Sequence, residues 1–204
     1  MDGVTRRRFL QIGGTLSMGA VLAACIGGGS TKRSRDSSGG PQGRQSDATI
    51  LRTLSSVEAA AVVVYTRILE ARLLSTPDGS ELGALFRSHH REHAELFERT
   101  TTDLGGRPFP DPNPVVMQQL EPALDALGDE TAALRLAFDV ETILADTYQA
   151  TMGTYADKSF NVAAMSVGGA ESRHAAALAP SIGLAPVPDA FEAPERAVGA
   201  GNGV

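Results

Sequence analysis

Apolar residues return every three or four positions through "LSSVEAAAVVVYTRILEARLL", residues 54–74. That is the period of one helix face, so the spacing predicts a helix there, with Ser55 or Ser56 as its cap. Three consecutive valines at 62–64 taken alone would suit a strand, but their Ala- and Leu-rich flanks favour the helix. "STPDGS" at 75–80 reads as a tight turn, and a second helix is expected over about 81–104. "GGRPFPDPNP" at 105–114 breaks it, because proline lacks the amide donor and clashes with the preceding turn. A short helical piece is then expected over 115–127, a third long helix over about 129–155 capped by Asp129, and a fourth over about 159–179. No stretch alternates as a strand does. The Pro-rich run "PSIGLAPVPDAFEAP" is expected to lie across the helices, and 193–204 to form a disordered tail.

Two helical hairpins joined by a long connection that contains a short helix describe an all-α, ferritin-like four-helix bundle. An up-and-down bundle with short loops has no use for the stretch 105–127. Helical patterns alone leave another all-α topology open.

The N-terminus follows a different pattern. "TRRRFLQ" is a basic opening, and an apolar run over 12–24 follows it. That layout marks a targeting segment rather than part of a fold. The run is too short and too rich in small residues for a membrane span, which needs roughly 20 apolar residues. Paired arginines before Phe9 and Leu10 resemble a twin-arginine (Tat-type) export signal, a route that carries folded proteins. "LAAC", ending at Cys25, resembles a bacterial lipoprotein site at which that cysteine takes the lipid. An ordinary signal peptide with a chance cysteine is the alternative. The reading divides the chain into a leader over 1–24, a lipid-anchor cysteine and flexible linker over 25–46, and a bundle over 47–192. It predicts a protein exported and anchored on the outer face of the cell membrane, with the membrane surface as a partner. With a single cysteine no intramolecular disulfide forms.

Charge sharpens the picture. The linker "IGGGSTKRSRDSSGGPQGRQS" carries Lys32, Arg33, Arg35 and Arg44 against Asp36, a basic balance that favours anionic headgroups near an anchor and equally suits a merely solvated tether. From Asp47 onward, 11 basic residues face 22 acidic ones, a balance of 11 − 22 = −11 against −6 for the whole chain. An acidic domain without tryptophan or a basic stripe is not built for nucleic acid.

The helices also repeat. "VEAAAVVVY" and "VETILADTY" place Glu58 seven residues before Tyr65 and Glu141 seven before Tyr148. "HREHAELF" and "ESRHAAAL" align His93 with His174 and His90 with Glu171. The pattern reads as an internal duplication of one hairpin. Residues i and i+3 share a helix face, so each pair can reach one interior point. A carboxylate-bridged two-metal bundle uses one Glu from each of two helices and a Glu-x-x-His pair from each of the others. The candidate ligands are therefore Glu58, His90, His93, Glu141, Glu171 and His174. A metal-free core in which buried glutamates pair with Arg or His is the alternative. His89 is expected to face away from the site as a solvated residue. Tyr65 and Tyr148 are expected to orient ligands on neighbouring helices; a redox relay and an ordinary core tyrosine are alternatives.

On these motifs the chain resembles the bacterial ferritin-like domain proteins, in particular exported ones with a Tat-type leader. The resemblance extends over about 47–192 and includes "LGGRPFPDPNP" and "GLAPVPDAFE". It implies a di-metal centre, with two iron ions as the expected cofactor and Mn, Zn or Cu as alternatives, and ferroxidase or oxidase activity. A non-catalytic metal-binding protein, or an envelope protein with a degenerate site, is the other reading. His90 departs from the family pattern, which has Glu there. Three carboxylates offset only three of the four charges of a diferrous pair, and an added imidazole favours reduced or softer ions.

Overall fold

The structure is a computed structural model that describes residues 40–191 and 193–204. The leader, Cys25, linker residues 26–39 and Glu192 lie outside the described residues. Among the described residues five α-helices follow one another: α1 Pro41–Glu70, α2 Pro77–Asp103, α3 Pro114–Asp125, α4 Glu130–Thr151 and α5 Phe160–Leu178, with a 3-10 turn Ala179–Ile182 after the last. No strand occurs among the described residues.

The helix starts are set by local chemistry that apolar periodicity does not report. Residues 41–46, read above as linker, form the first turns of α1. Pro41 brings a φ already suited to the first helical position. Asp47 then fastens the helix, because its buried carboxylate accepts the N–H groups of Ala156 (2.7 Å) and Asp157 (2.9 Å). "STPDGS" is not a separate turn: Thr76 caps α2 by accepting from Gly79 N–H, and Pro77 opens the helix. Asp129 caps α4 as expected, accepting from Ala132 N–H at 2.8 Å. That helix ends at Thr151, short of the expected 155.

α1 packs chiefly on α2 and α4 chiefly on α5, which gives the two hairpins; α1 also packs on α4, and α3 lies against both. The crossover is pinned by Asn113, which is fully buried. Its side chain accepts the first N–H groups of α3 and donates to Ser56 Oγ at 2.8 Å, while its own N–H donates to the Ser56 carbonyl. α1 includes a stretch long and apolar enough to cross a membrane, but 72 % of that stretch is buried in the bundle. It is the core helix.

The C-terminal residues correct another expectation. Over 193–204 the chain is not a loose tail but is bonded to the bundle through its own amides. Arg196 N–H donates to Asp146, Val198 N–H to Thr147 Oγ1 and Gly201 N–H to Thr53 Oγ1, and Val198 is buried. Sequence pattern missed this because one small apolar residue and a row of glycines carry no period.

The apolar core falls into two clusters. One runs from Val57 to Ile68 on α1 and includes Phe86, Leu136, Val140 and Leu178. The other holds Leu51, Leu54, Phe97, Tyr148 and Val167. A buried polar layer lies between them. Helices α4 and α5 approach closely beside it: a Cβ on Gly168 would stand 2.7 Å from Tyr148 Cβ. Alanine there gains about 1 kcal/mol of helix propensity, but relieving the overlap costs about 1–3 kcal/mol. Gly168→Ala is therefore expected to lower the melting temperature; a higher one would show that the two helices part freely.

Candidate metal centre

The polar layer is made by one turn of each long helix. α1 supplies Glu58, α2 His90 and His93, α4 Glu141, and α5 Glu171 and His174, all buried. The i, i+3 spacing on α2 and α5 turns each pair inward. The six residues expected from sequence meet at one place, in two overlapping groups. Glu58, His90, His93 and Glu171 bring ligand atoms within 4.8 Å of one another, as do His90, Glu141, Glu171 and His174. His90 and Glu171 belong to both groups.

His90 lies between two carboxylates. Its Nδ1 is 2.8 Å from Glu58 Oε2 and its Nε2 3.1 Å from Glu141 Oε1. His174 Nδ1 faces Glu141 Oε2 at 3.2 Å and Glu171 Oε2 at 3.3 Å. The tyrosines orient the outer glutamates crosswise: Tyr65 on α1 donates to Glu141 on α4, and Tyr148 on α4 donates to Glu58 on α1, both at 2.5 Å. Each half of the duplication thus orients the carboxylate of the other.

His89 is the correction. A step of about 100° around the helix from His90 leaves it half-buried against α5 rather than in solvent. Its ring stacks on that of His174, with centroids 5.2 Å apart, and its Nδ1 is 3.0 Å from His174 Nε2. A metal on Nδ1, the nitrogen turned to the carboxylates, would place the proton of His174 on Nε2, from which it would be donated to His89. That bond fixes the tautomer and orientation a metal-ligating imidazole needs. Burial, then the nearby charges of His174, His93 and His90, lower the His89 pKa to about 4, so its ring is neutral and can accept. Phe86, one turn before His89 on the same helix, has no signal as a site residue in the sequence; its ring also stacks on that of His174, with centroids 4.0 Å apart. The one regularity the two share is a place three or four positions before a ligand.

Electrostatics in the metal-free layer follow from burial. Burial alone would raise the carboxyl pKa values, but the charge of His93 and the hydrogen bond of His90 outweigh it at Glu58 and bring it down to about 2. Glu141 is likewise held well below the carboxylate range, against its burial, by His90 and His174. Glu171 goes the other way, raised by burial and by the charge of Glu58. Burial would lower His93, yet the charge of Glu58 and the contact with Glu171 raise it to about 10. His90 and His174 are raised too, against their burial, by the surrounding glutamates.

The donor set fits a metal on one further observation. Both oxygens of Glu171 are buried without a hydrogen-bond partner. His93 Nδ1 lies 2.9 Å from Glu171 Oε1 but off the line of a hydrogen bond, so it too lacks a partner. A buried carboxylate without a hydrogen-bond donor is costly unless cations lie beside it; the protonated rings of His93 and His174 do this in the metal-free layer, and a metal ion would do it in their place once they give up their protons. Oxygen and imidazole donors at this spacing suit divalent first-row ions.

Two outcomes follow. For the metal-free protein, Glu58 falls from 4.5 to about 2 on folding, so its contribution is present above pH 4.5 and lost as pH falls toward 2. His93 rises from 6.5 to about 10, so its contribution is present below pH 6.5 and lost as pH rises toward 10. Melting temperature against pH should peak between those limits, and the rise on adding Zn(II) or Co(II) should grow with pH as the imidazoles give up protons; a flat profile would refute the pairing. In His89→Ala, metal affinity should fall about 10- to 100-fold, with His89→Gln, which can accept the same proton, recovering much of it. Equal affinities in wild type and His89→Ala would show that His89 does not orient His174.

No curated protein matches the chain in a sequence comparison. The model of the family described as "Ferritin-like domain" matches residues 46–184, which holds all six ligand candidates and both tyrosines, and on that match, together with the helical bundle and its buried Glu and His layer, the chain belongs to the ferritin-like domain family.

Proposed function

We propose that this ferritin-like protein is exported, tethered to the outer face of the cell membrane, and holds two iron ions in the bundle, oxidising Fe(II) with dioxygen or peroxide. The observation that carries the metal reading is the pair of overlapping ligand groups sharing His90 and Glu171. Export and tethering are supported by "TRRRFLQ", the apolar run after it and Cys25.

Bound iron would supply the redox chemistry, each Fe(II) giving one electron to the dioxygen or peroxide. The chain does the rest. Glu58 and His93 would hold one ion, Glu141 and His174 the other, and Glu171 would serve both. Tyr148 and Tyr65 prevent the outer carboxylates from rotating. Apolar clusters above and below the polar layer keep water from competing for the ligands. A cavity of about 140 Å³ whose lining includes Tyr65, Phe86 and Leu178 lies against the site and offers room for a small apolar oxidant.

One observation favours a second reading. His90 faces both groups, but a neutral imidazole has a single lone pair and serves one ion only. The family's Glu at this position could serve both. The second ion therefore has one donor fewer, and a non-catalytic site for Zn, Cu or Mn is the competing function.

The test is metal loading of the full chain. Anaerobic Fe(II) titration should show two binding steps separated by about tenfold or more in affinity, and air should then produce charge-transfer absorbance with oxygen uptake. His90→Glu should bring the two steps together. No absorbance change and no oxygen uptake would reject the oxidase reading, and full occupancy by Zn with iron excluded would select the second.

A further inference from the structure

The end of the bundle where α1 begins carries a second, unrelated cluster. Arg44 and Arg52 from α1 and Arg107 from the loop after α2 line one cleft of about 330 Å³, together with Pro41, Thr49, Gly105 and Gly106. Among the described residues no carboxylate lines it. This is unusual for a domain whose charge from Asp47 onward is 11 − 22 = −11. Among the described residues, none of the three guanidinium groups has an ion-pair or hydrogen-bond partner. Arg52 is held in place nonetheless: its guanidinium lies 5.7 Å from the centre of the Phe109 ring, and its Nε is buried and unsatisfied. The nearest acidic side chain along α1, Asp47, is already committed to the amides of Ala156 and Asp157.

The helix end adds to this. No side chain caps the first turn of α1, and that turn holds no acidic residue. It carries Arg44, so a positive side chain stands at the positive end of the helix dipole, an arrangement that is unfavourable until an anion occupies it. Guanidinium forks match the oxygens of phosphate in geometry as well as charge.

We propose that this cleft is a binding site for a phosphate-type oxyanion, either free phosphate or the phosphate of an anionic lipid headgroup. The site is separate from the metal centre and does not depend on it. Its headgroup form rests on the tethered reading, since Pro41 follows Cys25 by a short linker; the free-phosphate form does not. In the headgroup form the cleft turns the end of the bundle where α1 begins toward the membrane.

The experiment uses the full chain carrying Cys25→Ala, so that no lipid anchor contributes whether or not the tethered reading holds. Inorganic phosphate is titrated calorimetrically at constant ionic strength, and sedimentation is measured with vesicles of phosphatidylcholine alone or with phosphatidylglycerol. Saturable phosphate binding is expected, weakened about tenfold or more in Arg44→Gln/Arg52→Gln/Arg107→Gln. Arg107→Gln alone, a loop substitution that leaves the helices intact, should weaken it several-fold. Arg91→Gln/Arg135→Gln, on exposed helix faces, should leave it unchanged. Sedimentation with phosphatidylglycerol vesicles that phosphate competes away, and that the triple variant loses, identifies the headgroup as the source. Phosphate binding without sedimentation identifies the free anion. No saturable phosphate binding by the parent chain, or binding retained by a folded triple variant, overturns the proposal, and sedimentation retained by that variant assigns membrane attraction to the linker instead.

Discussion

Three glutamates buried in one layer of a helical bundle are the constraint around which this structure is organised. Their ligand atoms lie within a few ångströms of common points, where like charges repel strongly and water is not present to screen them. A fold that keeps them there must supply compensating protons, hydrogen-bond donors or metal ions. The bundle supplies the first two from its own sequence. Three imidazoles interleave with the carboxylates, and two tyrosine hydroxyls reach across from opposite hairpins. What those groups leave over is Glu171, whose two oxygens have no hydrogen-bond partner. The metal-free arrangement is therefore incomplete at a definite atom pair, and that incompleteness is what marks the layer as a binding site rather than a satisfied polar core.

The parts of this design that recur along the chain could be read from the chain. Glu58 and Glu141, Tyr65 and Tyr148, and His93 and His174 come in pairs at nearly one offset, and pairing across a duplication separates ligands from ordinary polar residues. The helical hairpins were legible for the same reason, since apolar periodicity repeats. What occurs once was not legible. The starts of α1 and α2 depend on single events, Asp47 binding two distant amides and Thr76 folding back on Gly79. The C-terminal residues hold to the bundle by backbone amides donating to Asp146, Thr147 and Thr53, which no hydrophobic pattern can announce. His89 shows the same limit: on an isolated helix the step of about 100° from His90 turns it outward. In the bundle α5 lies close enough for its ring to reach His174.

His89 and His90 together show where the two halves part company. Under the repeat that aligns His93 with His174, His90 corresponds to Glu171 and His89 to Ala170, which is buried. One helix thus carries two imidazoles where its counterpart carries a carboxylate and a methyl group. The two changes act on different things. Replacing a carboxylate by His90 removes a negative charge and a donor that could reach both ligand groups. Adding His89 leaves the donor count alone and acts on His174, across the layer, by offering an acceptor for the Nε2 proton that metal binding through Nδ1 would require.

These effects fall on opposite sides of the same balance. With an ion in each ligand group, the loss at position 90 would weaken the hold on one of them, whichever His90 does not face with its lone pair. The bond from His174 to His89 raises the basicity of an imidazole that serves the Glu141 side. If His90 gives its lone pair to the Glu58 side through Nδ1, the Glu141 side loses a donor there but keeps a better-oriented His174. If it turns Nε2 to Glu141, both advantages fall on one ion and the Glu58 side is left with Glu58, His93 and a share of Glu171. The first arrangement evens the two sites and suits a pair of like ions acting together. The second makes them unequal and suits a single tightly held ion. The proton on His90 chooses between them. Glu58 and Glu141 compete for that proton at 2.8 Å and 3.1 Å; a proton kept at the shorter contact, on Nδ1, would leave Nε2 to a metal beside Glu141 and His174, and a proton kept on Nε2 would leave Nδ1 to one beside Glu58.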